Sequence, residues 1–264
     1  MKRALRKVLS TELGNRRSVD VYLPTSYRPG SSSRFPVVYM HDGQNLSDPS
    51  TAFAGTWDLE STLERLSTRD LDLIVVGVHN TRNRLAEYSP FPDRRHGGGE
   101  GDQYLSFLVN TLKPRIDRRF RTRPGRDDTA IVGSSMGGLI SLYAYFRYPY
   151  VFGRAGVMSP SIWFGQGTVL DFINEARAPR GRVYLDAGTA EGASTLRDAR
   201  RLGRLLVRRG FRRERRSSKR SAAFSRPRRG AESPTLRYLE EPGGRHTEAD
   251  WARRLEDALT FLLE

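Results

Sequence analysis

The chain has 264 residues, of which 37% are hydrophobic and 10% aromatic, which is enough for one α/β domain with a substantial core. It contains no cysteine, which excludes a disulfide framework, a thiolate zinc site and a cysteine nucleophile. The net charge of +15 is concentrated in one segment, because residues 208–230 hold 11 Lys or Arg and a single acid, Glu214.

No segment of the sequence predicts a membrane anchor. The first ten residues have a basic head but lack an uninterrupted apolar core of the kind a signal peptide requires. No apolar stretch elsewhere approaches the roughly 20 residues that a bilayer-spanning helix needs. We therefore expect a soluble, cytoplasmic protein without a membrane partner.

Short apolar or β-branched runs alternate with helical patterns along the chain. The runs predict strands at Val19 to Leu23, Val37 to His41, Leu73 to His79, Thr129 to Val132, Ala155 to Ser159 and Val183 to Ala187. Most are continuous rather than alternating, as in parallel strands buried on both faces. Helical patterns occupy Trp57 to Leu66, Asp102 to Ile116, Met136 to Phe146, Val169 to Ala176, Leu196 to Val207 and Thr247 to Leu263. This alternation predicts one doubly wound α/β domain, entered through an antiparallel pairing of Ala4 to Leu9 with Val19 to Leu23.

The loop after the predicted strand Val37 to His41 can place a backbone N–H donor at the edge of the sheet. In His41-Asp42-Gly43-Gln44, the glycine allows a turn that can point the N–H of Gln44 towards the edge of the sheet. Such an N–H can bind the oxyanion formed during acyl transfer. Asp42 and Asp48 do not have the spacing of a calcium loop, and we expect neither a metal nor a cofactor.

The pentapeptide GSSMG, Gly133 to Gly137, predicts a nucleophile elbow. It follows the apolar run Thr129 to Val132 and precedes a helical pattern, which is the context that the G-x-S-x-G motif requires. The register identifies Ser135 as the nucleophile, and the backbone N–H of Met136 as a second oxyanion donor. Glycines flank the serine because side chains there would collide with the neighbouring strand and helix.

A nucleophilic serine needs a base and an orienting acid. In α/β-hydrolases these follow in the order nucleophile, acid, histidine, and His246 is the only histidine after Ser135. The acid should leave a strand at its carboxyl end, where Asp186 and Glu191 both qualify. We prefer Glu191, which lies in the turn beyond the strand, and keep Asp186 as the alternative.

The basic segment is predicted to be an insertion at about residues 212–233. Its Arg-, Ser- and Gly-rich composition has little apolar periodicity, which is typical of disordered segments. Phosphate contacts would allow it to bind a polyanion. We do not expect nucleic acid as a partner, since stacking aromatics are not interleaved with the charges.

Several motifs together resemble the putative esterase family of α/β-hydrolases, which includes siderophore esterases, S-formylglutathione hydrolases, feruloyl esterases and mycolyltransferases. They are PVVYMHDGQN, EYSP, YLSFLVNTLKPRID, GSSMGG, MSPSIWF, YLDAGTAEG and GGRHTEADW, in the order of the family. The resemblance implies a mostly parallel sheet of about eight strands with helices on both faces and no large cap domain. It also implies a Ser135, His246 and Glu191 triad, an oxyanion hole at Gln44 and Met136, and Trp163 lining the substrate pocket.

We therefore expect a serine esterase that hydrolyses a small-molecule ester through an acyl-enzyme. Two alternatives stay open. An acyltransferase would use the same triad with an alcohol in place of water, and an idle scaffold would bind polyanions through the insertion. Neither the acyl and alcohol parts of the ester nor the oligomeric state follow from the sequence.

Overall fold

The computed structural model describes residues 1–52, 55–214 and 233–264. Nine strands within these ranges form one sheet: β1 Lys2–Ser10, β2 Asn15–Tyr22, β3 Val37–His41, β4 Ile74–Val78, β5 Thr129–Ser134, β6 Arg154–Met158, β7 Arg182–Gly188, β8 Arg212–Glu214 and β9 Thr235–Glu241. Across the sheet they lie in the order β1-β2-β4-β3-β5-β6-β7-β9-β8.

The sheet is parallel from β4 to β8 and antiparallel at its first two strands. Strands β3, β4 and β5 are buried along their whole length, which explains why their sequences are continuous apolar runs. The predicted antiparallel entry is confirmed, because Ala4 pairs with Asp20 and Leu5 with Val19.

Helices cover both faces of the sheet. The α-helices of the described ranges are α1 Leu59–Ser67, α2 Arg84–Glu87, α3 Gly101–Ser106, α4 Lys113–Arg119, α5 Met136–Arg147, α6 Thr168–Glu175, α7 Ala193–Arg208 and α8 Glu248–Leu263. The apolar sides of α1 and α8 pack on one face, and those of α3 to α7 pack on the other. This confirms the predicted α/β fold class. The single helix predicted over Asp102 to Ile116 is interrupted by a π-helical segment, Phe107–Leu112.

Helix α8 is the element that fixes the last loop of the chain. Its N-cap is Thr247, whose side-chain oxygen accepts a hydrogen bond from the N–H of Asp250 at 3.3 Å. The first turn carries Glu248 and Asp250, whose charges suit the positive end of the helix dipole. Because Trp251 and Leu255 are buried against the sheet, the loop just before the helix is held at the sheet edge.

Three residues of the predicted insertion form a strand. Arg212–Glu214 form strand β8, which pairs in parallel with Thr235, Leu236 and Arg237 of β9. This pairing satisfies backbone groups at the edge of the sheet without an apolar side-chain pattern, which is why composition alone assigned these residues to a loop. Of the other residues of the predicted insertion, 215–232 lie outside the described residues. No helix of the described ranges is long and apolar enough to cross a membrane.

Candidate active site

Ser135, the second serine of GSSMG, lies on a strained turn between β5 and α5. Ser135 has φ 57° and ψ −121°, a left-handed conformation that is uncommon for a residue with a side chain. A Cβ atom on Gly133 would lie 2.7 Å from the carbonyl carbon of Gly137, and one on Gly138 would lie 2.8 Å from the carbonyl oxygen of Met158. The glycines are therefore required by the close packing within the turn and against β6.

Residues from four strands meet at one edge of the sheet. Ser135 follows β5, Ser161 follows β6, Glu191 follows β7 and His246 follows β9, all at the carboxyl ends of parallel strands. The loops at this edge are where catalytic groups of open α/β sheets converge. The order of the strands, rather than proximity in sequence, brings these side chains together.

Ser161, which the sequence reasoning missed, is a neighbour of the predicted nucleophile Ser135. Its Oγ lies 3.1 Å from Ser135 Oγ, and its N–H donates to the carbonyl oxygen of Ser135 at 3.0 Å. In the described residues, Ser135 Oγ has no hydrogen bond to His246. A long base-to-nucleophile distance is common before substrate binds. The signal for Ser161 was its position just beyond the strand adjacent to β5.

His246 is paired with a buried carboxylate. Its Nδ1 lies 2.9 Å from Oε2 of Glu191, whose side chain is fully buried, whereas 39% of the imidazole is exposed. The ring stands edge-on to Trp251, with 4.9 Å between the ring centroids. Glu191 and Trp251 thus contact the imidazole of His246 on one side, and the rest of the ring is open to solvent.

Glu191 is held by donors on both of its oxygens. Oε1 accepts hydrogen bonds from the N–H of Gly188 at 2.7 Å and the hydroxyl of Ser159 at 2.6 Å, while Oε2 faces His246. Burial opposes ionisation, but these hydrogen bonds outweigh it and hold the pKa of the Glu191 carboxyl below its ordinary value. The group is therefore a carboxylate at neutral pH.

Asp186, the alternative acid, occupies a different position. It lies within β7, fully buried, where Oδ1 accepts the N–H of Ser159 at 3.0 Å and Oδ2 lies 3.3 Å from Nε of Arg254. Burial raises the pKa of Asp186 to about 7, although the guanidinium of Arg254 opposes that shift. The structure places Glu191, and not Asp186, against the imidazole.

The two predicted backbone donors lie at the starts of short helical segments. Met136 is the first residue of α5, and Gln44 lies in a 3₁₀ turn, Gly43–Asn45, after β3. Among the described residues, neither N–H has a hydrogen-bond acceptor. A Cβ on Gly43 would lie 2.5 Å from the carbonyl carbon of Gly77, so this loop packs directly on β4.

The loop that carries Gln44 is anchored by residues that the sequence did not single out. Asp42, with φ 55°, accepts two hydrogen bonds from Arg84 at 2.7 and 2.8 Å and one from the amide of Asn80 at 2.6 Å. The N–H of Asn80 in turn donates to Oε1 of Gln44 at 3.2 Å. These contacts fix the backbone orientation at Gln44.

Trp163 projects from the loop after β6, two residues beyond Ser161, and is 50% exposed. Its ring lies edge-on to that of His96, with centroids 5.6 Å apart. Asp93 joins the two loops: its Oδ1 accepts the N–H of His96 at 3.1 Å, and its Oδ2 accepts the N–H of Gly165 at 3.2 Å. Backbone donation from Arg95 is the largest contribution to the lowered pKa of Asp93, about 2.

Comparison with known proteins places this chain in a family. Residues 10–262 match the family described as "Putative esterase". The uncharacterized protein YbbA of Bacillus subtilis is 34% identical over 185 residues, which cover 68% of this chain and 70% of that protein. A siderophore enterobactin esterase of Emericella nidulans is 35% identical over 82 residues, which cover 31% of this chain and 26% of that one.

The fold has a close counterpart among solved structures. An IroE-like serine hydrolase from Shewanella oneidensis superposes with a TM-score of 0.76 at 18% identity, covering 100% of this chain and 80% of that chain. At this identity the likeness shows the fold. Among the described residues, no group of His, Asp or Glu side chains is arranged to hold a metal ion.

Proposed function

Because the chain belongs to the putative esterase family, we propose that it is a serine carboxylic-ester hydrolase acting through an acyl-enzyme. Ser135 is the nucleophile, His246 the base and Glu191 the orienting acid. The observation that carries the proposal is the 2.9 Å contact of His246 Nδ1 with the buried Glu191 carboxylate, at the sheet edge that also holds Ser135. If His246 were only a surface residue that precedes a helix, it would not need a buried, ionised partner.

The Glu191 carboxylate sets the proton position on the imidazole. An ionised acid facing Nδ1 favours the tautomer with its proton on that nitrogen, which leaves Nε2 free to accept a proton from the nucleophile. As Ser135 Oγ attacks the ester carbonyl, His246 takes the hydroxyl proton and becomes a cation that Glu191 stabilises. It then protonates the leaving alcohol, and water repeats the cycle on the acyl-enzyme.

The N–H groups of Met136 and Gln44 are the proposed oxyanion donors. Their lack of acceptors in the described chain supports this role, since a donor without a partner is available to the tetrahedral intermediate. Each such donor typically lowers the barrier by about 3 kcal/mol. The anchoring of the loop through Asp42 and Asn80 keeps the Gln44 donor oriented before substrate arrives.

The proposed substrate is a small-molecule carboxylic ester. The partly exposed side chains of Trp163 and His246 leave the site open to solvent, which suits a ligand that binds in a shallow cleft. We assign Trp163 to the substrate surface, because it lies in the same loop as Ser161, the hydroxyl neighbour of the nucleophile. A relative named as a siderophore enterobactin esterase supports an ester as the substrate.

The test is covalent labelling combined with a matched pair of serine substitutions. A fluorophosphonate should label Ser135 in the native protein, and Ser135→Ala should lower kcat for p-nitrophenyl acetate by about 10⁴-fold or more. Ser134→Ala, one residue earlier at the buried end of β5, is the control and should keep both labelling and hydrolysis. Hydrolysis at the original rate by Ser135→Ala would exclude this mechanism. Product analysis with added alcohols separates hydrolysis from acyl transfer.

A further inference from the structure

Two carboxylates lie close together beneath the proposed catalytic histidine. The side chains of Asp186 and Glu191 are both fully buried, and the guanidinium of Arg254, only 3% exposed, lies between them. Its Nε is 3.3 Å from Oδ2 of Asp186, and its Nη2 is 3.4 Å from Oε1 of Glu191. Arg254 comes from α8, so this contact links the last helix to the ends of β7 and its following turn.

Ser159 connects the same three groups through hydrogen bonds. Its hydroxyl donates to Glu191 Oε1 at 2.6 Å and accepts from Nη2 of Arg254 at 3.1 Å and from the indole N–H of Trp251 at 3.0 Å. Its backbone N–H donates to Oδ1 of Asp186, and its φ of 42° is strained. A strained residue is retained where the surrounding contacts require it.

Two like charges at short range destabilise one another strongly inside a protein, because little water screens them. A single cation between them removes this repulsion. In the described residues, Nε and Nη1 of Arg254 make no hydrogen bond, so the arginine acts on Asp186 chiefly through its charge. Replacing one of the three charged groups should therefore alter the ionisation of the others.

We propose that Arg254 is a positioning residue for the triad acid: its charge balances those of Asp186 and Glu191, holds the Glu191 carboxylate directed at His246, and so sets the net negative charge that the imidazolium experiences. This inference rests on the proposed function, in which Glu191 is the orienting acid. The other titratable groups around the cluster are Tyr184 on β7, which faces Asp186, and Glu248 on the first turn of α8, which faces His246. Neither lies between the two carboxylates and the arginine.

The proposal predicts that substitutions of Arg254 and Asp186 do not shift the pH profile in the same direction. Arg254→Gln removes a positive charge near the imidazolium, so the acidic limb of the kcat/KM profile should move to higher pH by about one unit. Asp186→Asn removes a negative charge, so the same limb should move to lower pH or stay in place. Arg254→Lys restores the charge and should return the limb towards its original position.

Arg253→Gln is the matched control, since Arg253 is the adjacent residue of α8 and its side chain is 56% exposed. It should leave the profile unchanged. A limb that does not move in Arg254→Gln, or that moves the same way in Asp186→Asn, overturns the proposal. Damage to the fold alone would lower activity without opposite shifts, and Lys would then not rescue it.

A second measurement does not depend on esterase activity. In Ser135→Ala protein, the pH midpoint of the His246 imidazole signals in NMR should rise on adding Arg254→Gln, and should not rise on adding Arg253→Gln. A wild-type protein without Ser135-dependent hydrolysis would refute the proposed function, whereas an unchanged His246 midpoint would refute the role of Arg254. The two failures are therefore distinguishable.

Discussion

In the proposed mechanism, replacing Glu191 by glutamine should inactivate His246 while leaving the size of the side chain nearly unchanged. Two strong donors, the N–H of Gly188 and the hydroxyl of Ser159, converge on Oε1 at 2.7 and 2.6 Å, and Arg254 faces it as well. The amide must therefore place its carbonyl oxygen there. Its NH₂ group then faces Nδ1 of His246, 2.9 Å from the position of Oε2.

That orientation moves the proton of the neutral imidazole to the other ring nitrogen. An NH₂ donor opposite Nδ1 favours the imidazole tautomer protonated on Nε2, which cannot accept the proton of Ser135. The corresponding substitution in a serine protease lowers kcat by about 10⁴-fold, and we expect a loss of about 10³- to 10⁴-fold for Glu191→Gln at pH 7. KM should change little, because Glu191 is buried and does not contact substrate.

The assay is steady-state hydrolysis of p-nitrophenyl acetate, with Asp186→Asn as the matched control. Asp186 faces Ser159 and Arg254 rather than the imidazole, so its amide should retain activity within about tenfold. Circular dichroism and thermal melting would confirm that both variants fold. If Asp186→Asn loses more activity than Glu191→Gln, the assignment of the triad acid is wrong and Asp186 takes its place.

Three other consequences can be measured. Gly133→Ala places a methyl group 2.7 Å from Gly137 and should lower the free energy of unfolding in urea by about 1–3 kcal/mol, whereas Gly125→Ala, with open space around it, should not. Burial raises the pKa of Asp186 to about 7, against an ordinary 3.8. Between these values the carboxyl is ionised in the unfolded chain and protonated in the folded protein, so the free energy of unfolding falls as pH rises. Wild type should therefore lose more stability than Asp186→Asn between pH 4 and 7. Equal losses would contradict that burial effect. Trp163→Ala should raise KM several-fold with kcat nearly unchanged, since a side chain that is 50% exposed contributes little to folding; a lower kcat at constant KM would show that it acts elsewhere.

Most of the sheet could be predicted because its information is local. Continuous apolar runs at Val37 to His41 and Thr129 to Val132 mark strands that helices cover on both sides, and the structure has β3 and β5 there. The short edge strand β8 was missed, because pairing at a sheet edge requires no apolar pattern. The π-helical segment Phe107–Leu112 was missed for a similar reason, since its residues fit an α-helix equally well.

The candidate site was predictable where spacing or chain order restricts the choice. The glycine spacing of GSSMG determined which serine occupies the strained turn, and chain order left His246 as the only histidine after it. The identities of Ser161, Ser159 and Arg254 as neighbours were not predictable. Ser159 and Ser161 lie on the loop after β6 and Arg254 lies on α8. They meet Ser135, Glu191 and His246 only because the strand order places β5, β6, β7 and β9 side by side.

The sequence by itself determined the elbow, the chain order of its partners and the class of fold, because each depends on short-range spacing of glycines, apolar residues and one histidine. It preferred Glu191 to Asp186 only because Glu191 lies in the turn beyond the strand, and the sequence does not show the direction of either side chain. Only the tertiary structure decided that Asp186 points from β7 towards Arg254 of α8 while Glu191 turns towards His246. The physical reason is that a side chain inside a strand is held by its neighbours in the sheet, whereas the following turn can direct its carboxylate at a loop from another strand.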